Sequence, residues 1–294
     1  MAAPTAVGDT ASVPPSPART QAPRKRGWVF HAVMVPFTLL WVAPMAFVLL
    51  IAFRTFDDIA SRGLGALPAS FSLDGFTTAL QDGSIGRALA NSALVTVVGV
   101  VTTLFLASLA AFALSRYHIP FRRTILLGML AGNLLPPQIL LIPVAKITES
   151  LGIYDSLFAL IVVQVGFGLG FYTFVLYGFM RAIPTEVFEA ARVDGAGPTR
   201  IYARIVMPLS RPALAALAAL ATTWIFNDLI WAVTVLRTED KFPITAALLN
   251  LQGGFVSNWN VVASGAVLAA VPTAIVFFAF QKHFVSGLLV GANK

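Results

Sequence analysis

Asp228 is the only acid inside an apolar stretch long enough to cross a membrane, and Trp224, Asn227 and Trp231 stand close to it in sequence. A carboxylate and an amide can hydrogen-bond the hydroxyls of a polar solute, and indole faces suit C–H surfaces. An acid near the bilayer centre costs about 2.5–3.5 kcal/mol, and less toward the interface. Asp228 is therefore expected to face a bundle interior or a watery cavity. At about 1.5 Å per residue it lies about 24 Å along a helix that starts at Pro212, toward the far half of a membrane. Two roles stay open for Asp228 and Asn227. They line a pathway, or they bond to neighbouring helices and fix the bundle.

No other constellation supports bond-making chemistry. His31, His118 and His283 lie far apart, at helix ends and in a loop, and make neither a metal set nor a Ser–His pair. The absence of cysteine excludes disulfides, thiol catalysis and thiolate metal sites. A phosphate-cradling P-loop needs a Gly-Lys pair after a Gly-rich run. None of the five lysines follows a glycine, so the chain carries no such loop. The chain is expected to be no enzyme and to bind no cofactor.

The elements that position Asp228 are membrane helices. The 294 residues are 57% hydrophobic and 11% charged, with a mean hydropathy of +0.82. A soluble domain carries roughly a quarter charged residues, so the bilayer is the natural solvent here. Apolar segments near the ~20 residues a span needs occur at Val29–Phe53, Ala88–Leu114, Thr124–Ala145, Leu157–Met180, Pro212–Leu236 and Val261–Phe280. Pro136, Pro137 and Pro143 inside them are tolerable where neighbours satisfy the freed backbone groups. The glycines of GMLAG (Gly128, Gly132) and GFGLG (Gly166, Gly168, Gly170) suit close helix packing.

With the N-terminus inside, fourteen of the twenty Lys and Arg residues fall on the inner side, and eight of the thirteen acids fall outside. Both termini are therefore expected to be cytoplasmic, and the net charge of +7 reflects topology rather than nucleic acid. Arg116, Arg122 and Arg123 read as plain topology determinants. Residues 1–27, rich in Ala, Pro, Ser and Thr, read as a disordered cytoplasmic tail. The apolar run after RKRG is about 25 residues, too long for a signal core.

Between the fourth and fifth segments lies a charged, Gly-punctuated interruption, EAARVDGAGPTRIYARIVMP, from Glu189 to Pro208. Thr185 can cap a helix with Glu186 in its first turn. Gly195 and Gly197 would end it, and Pro198 suits the first position of a second helix. Ile201–Ile205 and Tyr202–Val206 are i,i+4 pairs forming one apolar ridge. That ridge needs burial, either on the protein's own membrane domain, at the lipid surface, or against a soluble partner.

The spacing EAA, three residues, Gly, nine residues, then Ile-x-Met-Pro resembles the signature loop of permease subunits in binding-protein-dependent ABC importers. Glu189, Ala190, Ala191, Gly195, Ile205 and Pro208 match it in place, with Met207 where Leu is usual. PPQILLIPVAKITESLGIYDS, GFMRAIPTEVFEAARVDGAG, WIFNDLIWAVTVL and the ending QKHFVSGLLVGANK resemble the carbohydrate-uptake branch, in particular the second permease of maltose-type systems. The resemblance implies an all-α, polytopic fold. Six transmembrane helices over 28–280 would carry a cytoplasmic coupling loop at 181–211 and be followed by a cytoplasmic tail at 281–294.

It further implies a homologous permease as partner, two ATPase subunits that hold ATP and Mg, an extracytoplasmic binding protein, and a cytoplasmic-membrane location. In such a loop Glu189, Ala190, Ala191, Asp194, Gly195, Ile201, Ile205 and Pro208 would engage the ATPase. Outside, Gly253, Gly254 and Phe255 would reach toward the binding protein, unless their loop is an ordinary interfacial connection. The tail would enter the ATPase dimer interface. A sugar is the expected solute. A non-sugar solute such as glycerol phosphate stays open, as does a membrane scaffold or enzyme using the loop as an anchor.

Overall fold

The computed structural model describes residues 27–81, 84–251 and 258–292, with the side chains of 27, 29, 84 and 280–292 excepted. The disordered tail expected at 1–27 falls almost wholly outside the described residues, as do Gly253, Gly254 and Phe255. Among the described residues every regular element is helical. The chain divides into a unit ending at Ala46 and a larger one from Phe47 onward.

Helix α1 (Gly27–Ala52) carries Pro36 and Pro44 in its interior. Apolar residues around it, Phe30, Leu40 and Trp41 among them, are exposed, as suits a helix meant for lipid or a partner. Two short helices, α2 (Phe56–Arg62) and α3 (Asp74–Gln81), lead to α4 (Ser84–Arg116). At about 1.5 Å per residue α4 is about 50 Å long, more than the ~30 Å hydrocarbon core.

Next come α5 (Arg122–Ala131), a 3₁₀ turn (Gly132–Leu134), and α6 (Pro137–Ser150). The expected span Thr124–Ala145 is therefore not one helix, because the pair is bent by 101°. Pro136 and Pro137 cause the break. The residue before a proline is pushed to extended backbone, and Leu135 and Pro136 have ψ of 131° and 126°.

Helix α7 (Leu157–Arg181) starts behind a Ser156 cap whose hydroxyl accepts the Ala159 N–H. The loop follows as α8 (Thr185–Val193), α9 (Pro198–Ile201), a π turn (Tyr202–Val206) and α10 (Met207–Leu209). Then α11 (Arg211–Phe226) and α12 (Ile230–Val235) replace the continuous span expected over Pro212–Leu236. The break falls at Asn227 and Asp228, whose side chains compete for backbone groups. The Asn227 amide donates to the Thr223 carbonyl at 2.8 Å, while the Asp228 carboxylate accepts the Ala232 N–H at 3.2 Å and the Trp231 N–H at 3.5 Å.

After α13 (Ile244–Asn250), α14 (Trp259–Ala292) continues past the expected end at Phe280, so the backbone of 281–292 extends the same helix. Among the described residues four helices are long and apolar enough to cross a membrane, or up to six if each bent pair is one span. The second bent pair is Pro198–Leu209 with Arg211–Phe226, at 72°.

The main core joins α4, α7, α11 and α12 through Leu104, Ala107, Leu160, Leu176, Leu217 and Val235. Gly170 brings α7 against the Met129 carbonyl of α5, leaving no room for a methyl, and Gly168 abuts Thr103 of α4. Gly128, Gly132 and Gly166 face open space instead. A second cluster (Ile85, Phe226, Ile244, Val261) joins α4, α11, α13 and α14.

Candidate coupling loop and membrane cavity

Pro184, not Thr185, occupies the cap position of α8, and Thr185 is the first helical residue. Glu186 lies in the first turn, where an acid favours the helix dipole. The helix closes in a Schellman motif. The Ala196 N–H reaches the Ala191 carbonyl at 2.9 Å, and the Gly195 N–H reaches Arg192 at 3.0 Å. Gly195 has φ +72°, a conformation other residues adopt at a cost of about 1 kcal/mol. Pro198 does open the second helix.

The loop's two faces differ from the expected ridge. Ile201 is 5% exposed and Val206 fully buried, both inside this chain's own core, with Tyr202 and Ile205 packed against it. The apolar stripe thus covers the membrane bundle, and Ile201 is not available to a partner. Facing outward instead are Glu186, Val187, Glu189, Ala190, Asp194, Gly195 and Arg200, with Val193 at 88% exposure. Ala191 is buried and Pro208 half-buried. Val187, Ala190 and Val193, spaced three apart, were the sequence signal for this second face.

Arg116 is more than a topology charge. It donates to the carbonyls of Met180 and, at 3.1 Å, Ile183, and its guanidinium lies 3.7 Å above the centre of the Phe188 ring.

At the breaks in the helices a cavity of about 230 Å³ opens. Trp224, Asp228 and Trp231 line it, joined by Asn133, Gln164, Phe167 and Tyr172 from other elements. Asn227 is exposed and is not in the lining. Phe167 stacks on Trp231 with centroids 4.5 Å apart and planes 22° off parallel, while Trp224 is 5.4 Å from Phe171. Asp228 also has a structural share. It satisfies the first N–H groups of α12, and its carbonyl accepts the Thr245 hydroxyl at 2.6 Å. That share is what unwound backbone at membrane depth requires.

On the opposite side from the loop, segments meet through Asp155, which has a left-handed φ of 55°. Its carboxylate accepts from the Arg237 and Thr238 N–H groups at 2.8 and 3.0 Å, from the Thr238 hydroxyl, and from Lys241. Lys241, followed by the Thr238 bonds, holds this carboxyl well below the usual range. Arg87 pairs with Asp240, and the Asn91 amide donates to the Asp240 and Phe242 carbonyls, tying α4 to the same segment.

The family described as "binding-protein-dependent transport system inner membrane component" matches residues 103–290. The alpha-glucoside transport system permease protein AglG of Rhizobium meliloti (strain 1021) is 36% identical over 234 residues, covering 77% of this chain and 61% of that one. The diacetylchitobiose uptake system permease protein NgcG of Streptomyces coelicolor is 28% identical over 94% of this chain and 92% of its own length. A solved bacterial ABC transporter involved in import of the acidic polysaccharide alginate contains a chain that is 25% identical, with a TM-score of 0.76 over 90% of this chain and 99% of that one. The chain spanning these helices therefore belongs to the inner-membrane components of binding-protein-dependent transport systems, the permease subunits of ABC importers, and is not an enzyme.

Proposed function

We propose that this chain forms one half of the membrane pathway of a carbohydrate importer, paired with a homologous permease. An extracytoplasmic binding protein delivers the sugar, and two separate ATPase subunits bind ATP and Mg. Both termini are cytoplasmic, as the distribution of Lys and Arg favours. When the ATPases close, the loop carried on α8 moves with them and the bundle alternates between facing out and facing in.

The observation that carries the choice of a sugar is the cavity. It combines one carboxylate, two amides and a stacked Phe167–Trp231 pair, which match a ring with hydroxyls on its edge and C–H groups on its face. Among the described residues no Lys, Arg or His lines it, which disfavours the alternative of a phosphate-bearing solute such as glycerol phosphate. The permease relatives AglG and NgcG, named for alpha-glucosides and diacetylchitobiose, favour the same class.

On the loop side, Glu189, Ala190, Val193, Asp194 and Gly195 form the face offered to the ATPase, while Ile201, Ile205 and Pro208 support it from beneath. A membrane scaffold would need no such exposed face on a rigid Schellman turn. The deciding experiment reconstitutes the complex with its ATPases and binding protein and screens a sugar panel for stimulated ATP hydrolysis. A neutral mono- or oligosaccharide should stimulate. Stimulation by glycerol phosphate and by no sugar would overturn the choice of solute.

A further inference from the structure

A loop that is to move a helix bundle has to be gripped by it, and one column on α4 supplies the grip. Ser108, Phe112 and Arg116 are four residues apart and share a face at the loop end of α4. Ser108 Oγ lies 2.7 Å from the Tyr202 hydroxyl, and the Phe112 ring lies 5.4 Å from the Tyr202 ring. The column therefore holds the π turn, which belongs to the second half of the loop. Arg116 holds the first half. One guanidinium nitrogen, Nη2, donates to the carbonyls of Met180 in α7 and of Ile183 just past its end, and the guanidinium plane covers Phe188 of α8.

Little else ties α8 to the bundle. Phe188 and Ala191 are its buried residues. Beside these contacts lies a cavity of about 290 Å³, lined by Phe112, Arg116, Phe188, Arg192 and Ile201 among others. The attachment of α8 is therefore two packed side chains together with the Arg116 contacts, with open space beside them.

We infer that Arg116 is the positioning residue of transport coupling: it locks the first loop helix to the ends of α4 and α7, so that a displacement of α8 is transmitted to the bundle. This rests on the reading of the loop as the ATPase dock. Arginine suits the place because it bonds the carbonyls and covers the ring at once. At the end of α7 the Met180 carbonyl accepts the Ile183 N–H, at 3.3 Å, which leaves a lone pair for Arg116. A planar guanidinium can bond two carbonyls while stacking on a ring, whereas a lysine ammonium offers a point charge without the plane.

The test uses the full complex of permeases and ATPases in lipid nanodiscs, with its binding protein added. The variants are Arg116→Lys, Arg116→Ala and Phe188→Leu. ATPase co-purification, unstimulated hydrolysis and binding-protein-stimulated hydrolysis are measured together. Arg116→Lys keeps the topology charge, so it should insert, retain the ATPases and keep the unstimulated rate. Its stimulation should nevertheless fall on the order of tenfold. Phe188→Leu should lose part of the stimulation in the same way. Full stimulation in Arg116→Lys would overturn the inference even if Arg116→Ala fails to insert. A wild-type chain that retains no ATPase would overturn the docking reading and the inference with it.

Discussion

Lys241 Nζ lies 2.8 Å from a carboxylate oxygen of Asp155 and 2.6 Å from its carbonyl oxygen, joining segments 86 positions apart in sequence. With Arg237 and Thr238 on the same carboxylate, this knot fastens the segment before α7 to the segment after α12. Those are the two elements whose Phe167 and Trp231 stack in the cavity.

The knot has a defined pH dependence. The folded-state pKa of Asp155 lies below its unfolded value near 3.9. The stabilisation is therefore complete above about pH 4 and is lost as pH falls through the lower, folded-state value. Asp155→Asn keeps the left-handed turn accessible but removes the charge. Its side chain is 24% exposed, so the low end of the range for bonds to a charged group applies, about 1.5 kcal/mol. Thermal unfolding of the purified complex should show the variant less stable at neutral pH, with the gap narrowing below about pH 4. A gap that widened with acid would contradict the assignment.

At Asp228 the capping role and the cavity role can be separated by chemistry. Asparagine caps helices about as well as aspartate, so Asp228→Asn should leave thermal stability nearly unchanged. Asp228→Ala leaves two N–H groups of α12 without their acceptor and should cost about 1 kcal/mol. Uptake should fall in both if the carboxylate touches the solute. Equal uptake by Asp228→Asn and the wild type would confine Asp228 to capping.

Much of this architecture was legible in the residues, and the parts that were not have physical reasons. Apolar length located α1, α4, α7 and α14 because desolvation sets the length of a span. It could not show the bend at Pro136 or the break at Asn227, since hydropathy runs through both and side-chain bonding decides them. Gly195 and Pro198 were readable because their backbone preferences are local. The i,i+4 stripe of Ile201 and Ile205 announced burial without naming the surface that buries them, and that surface is the protein's own bundle. Arg116 counted as one positive charge among many until Met180, Ile183 and Phe188 were seen around it. Asn133, Gln164 and Phe167 joined Asp228 only through tertiary packing.

The outward face of α8 should be the sensitive one. Val193→Asp and Glu189→Lys change exposed groups without disturbing the core, so the protein should still reach the membrane. Both should abolish uptake and release the ATPase subunits on purification. A cysteine at Val193 should crosslink to an ATPase subunit in membranes, and a cysteine at Ile201 should not. Capture from Ile201 with none from Val193 would reverse the assignment of the two faces.

Gly170 offers a test with an internal control. A methyl there meets the carbonyl of Met129, which is backbone and cannot swing aside, while a methyl at Gly166 meets open space. Overpacking of this kind costs about 1–3 kcal/mol. Gly170→Ala should therefore lower the melting temperature of the complex, and Gly166→Ala, in open space inside the same helix, should not lower it. Because α5 also leads into the bend beside the cavity, pushing it away from α7 should weaken solute-stimulated hydrolysis as well. If Gly170→Ala matches Gly166→Ala in both measurements, α5 and α7 do not approach as closely as described.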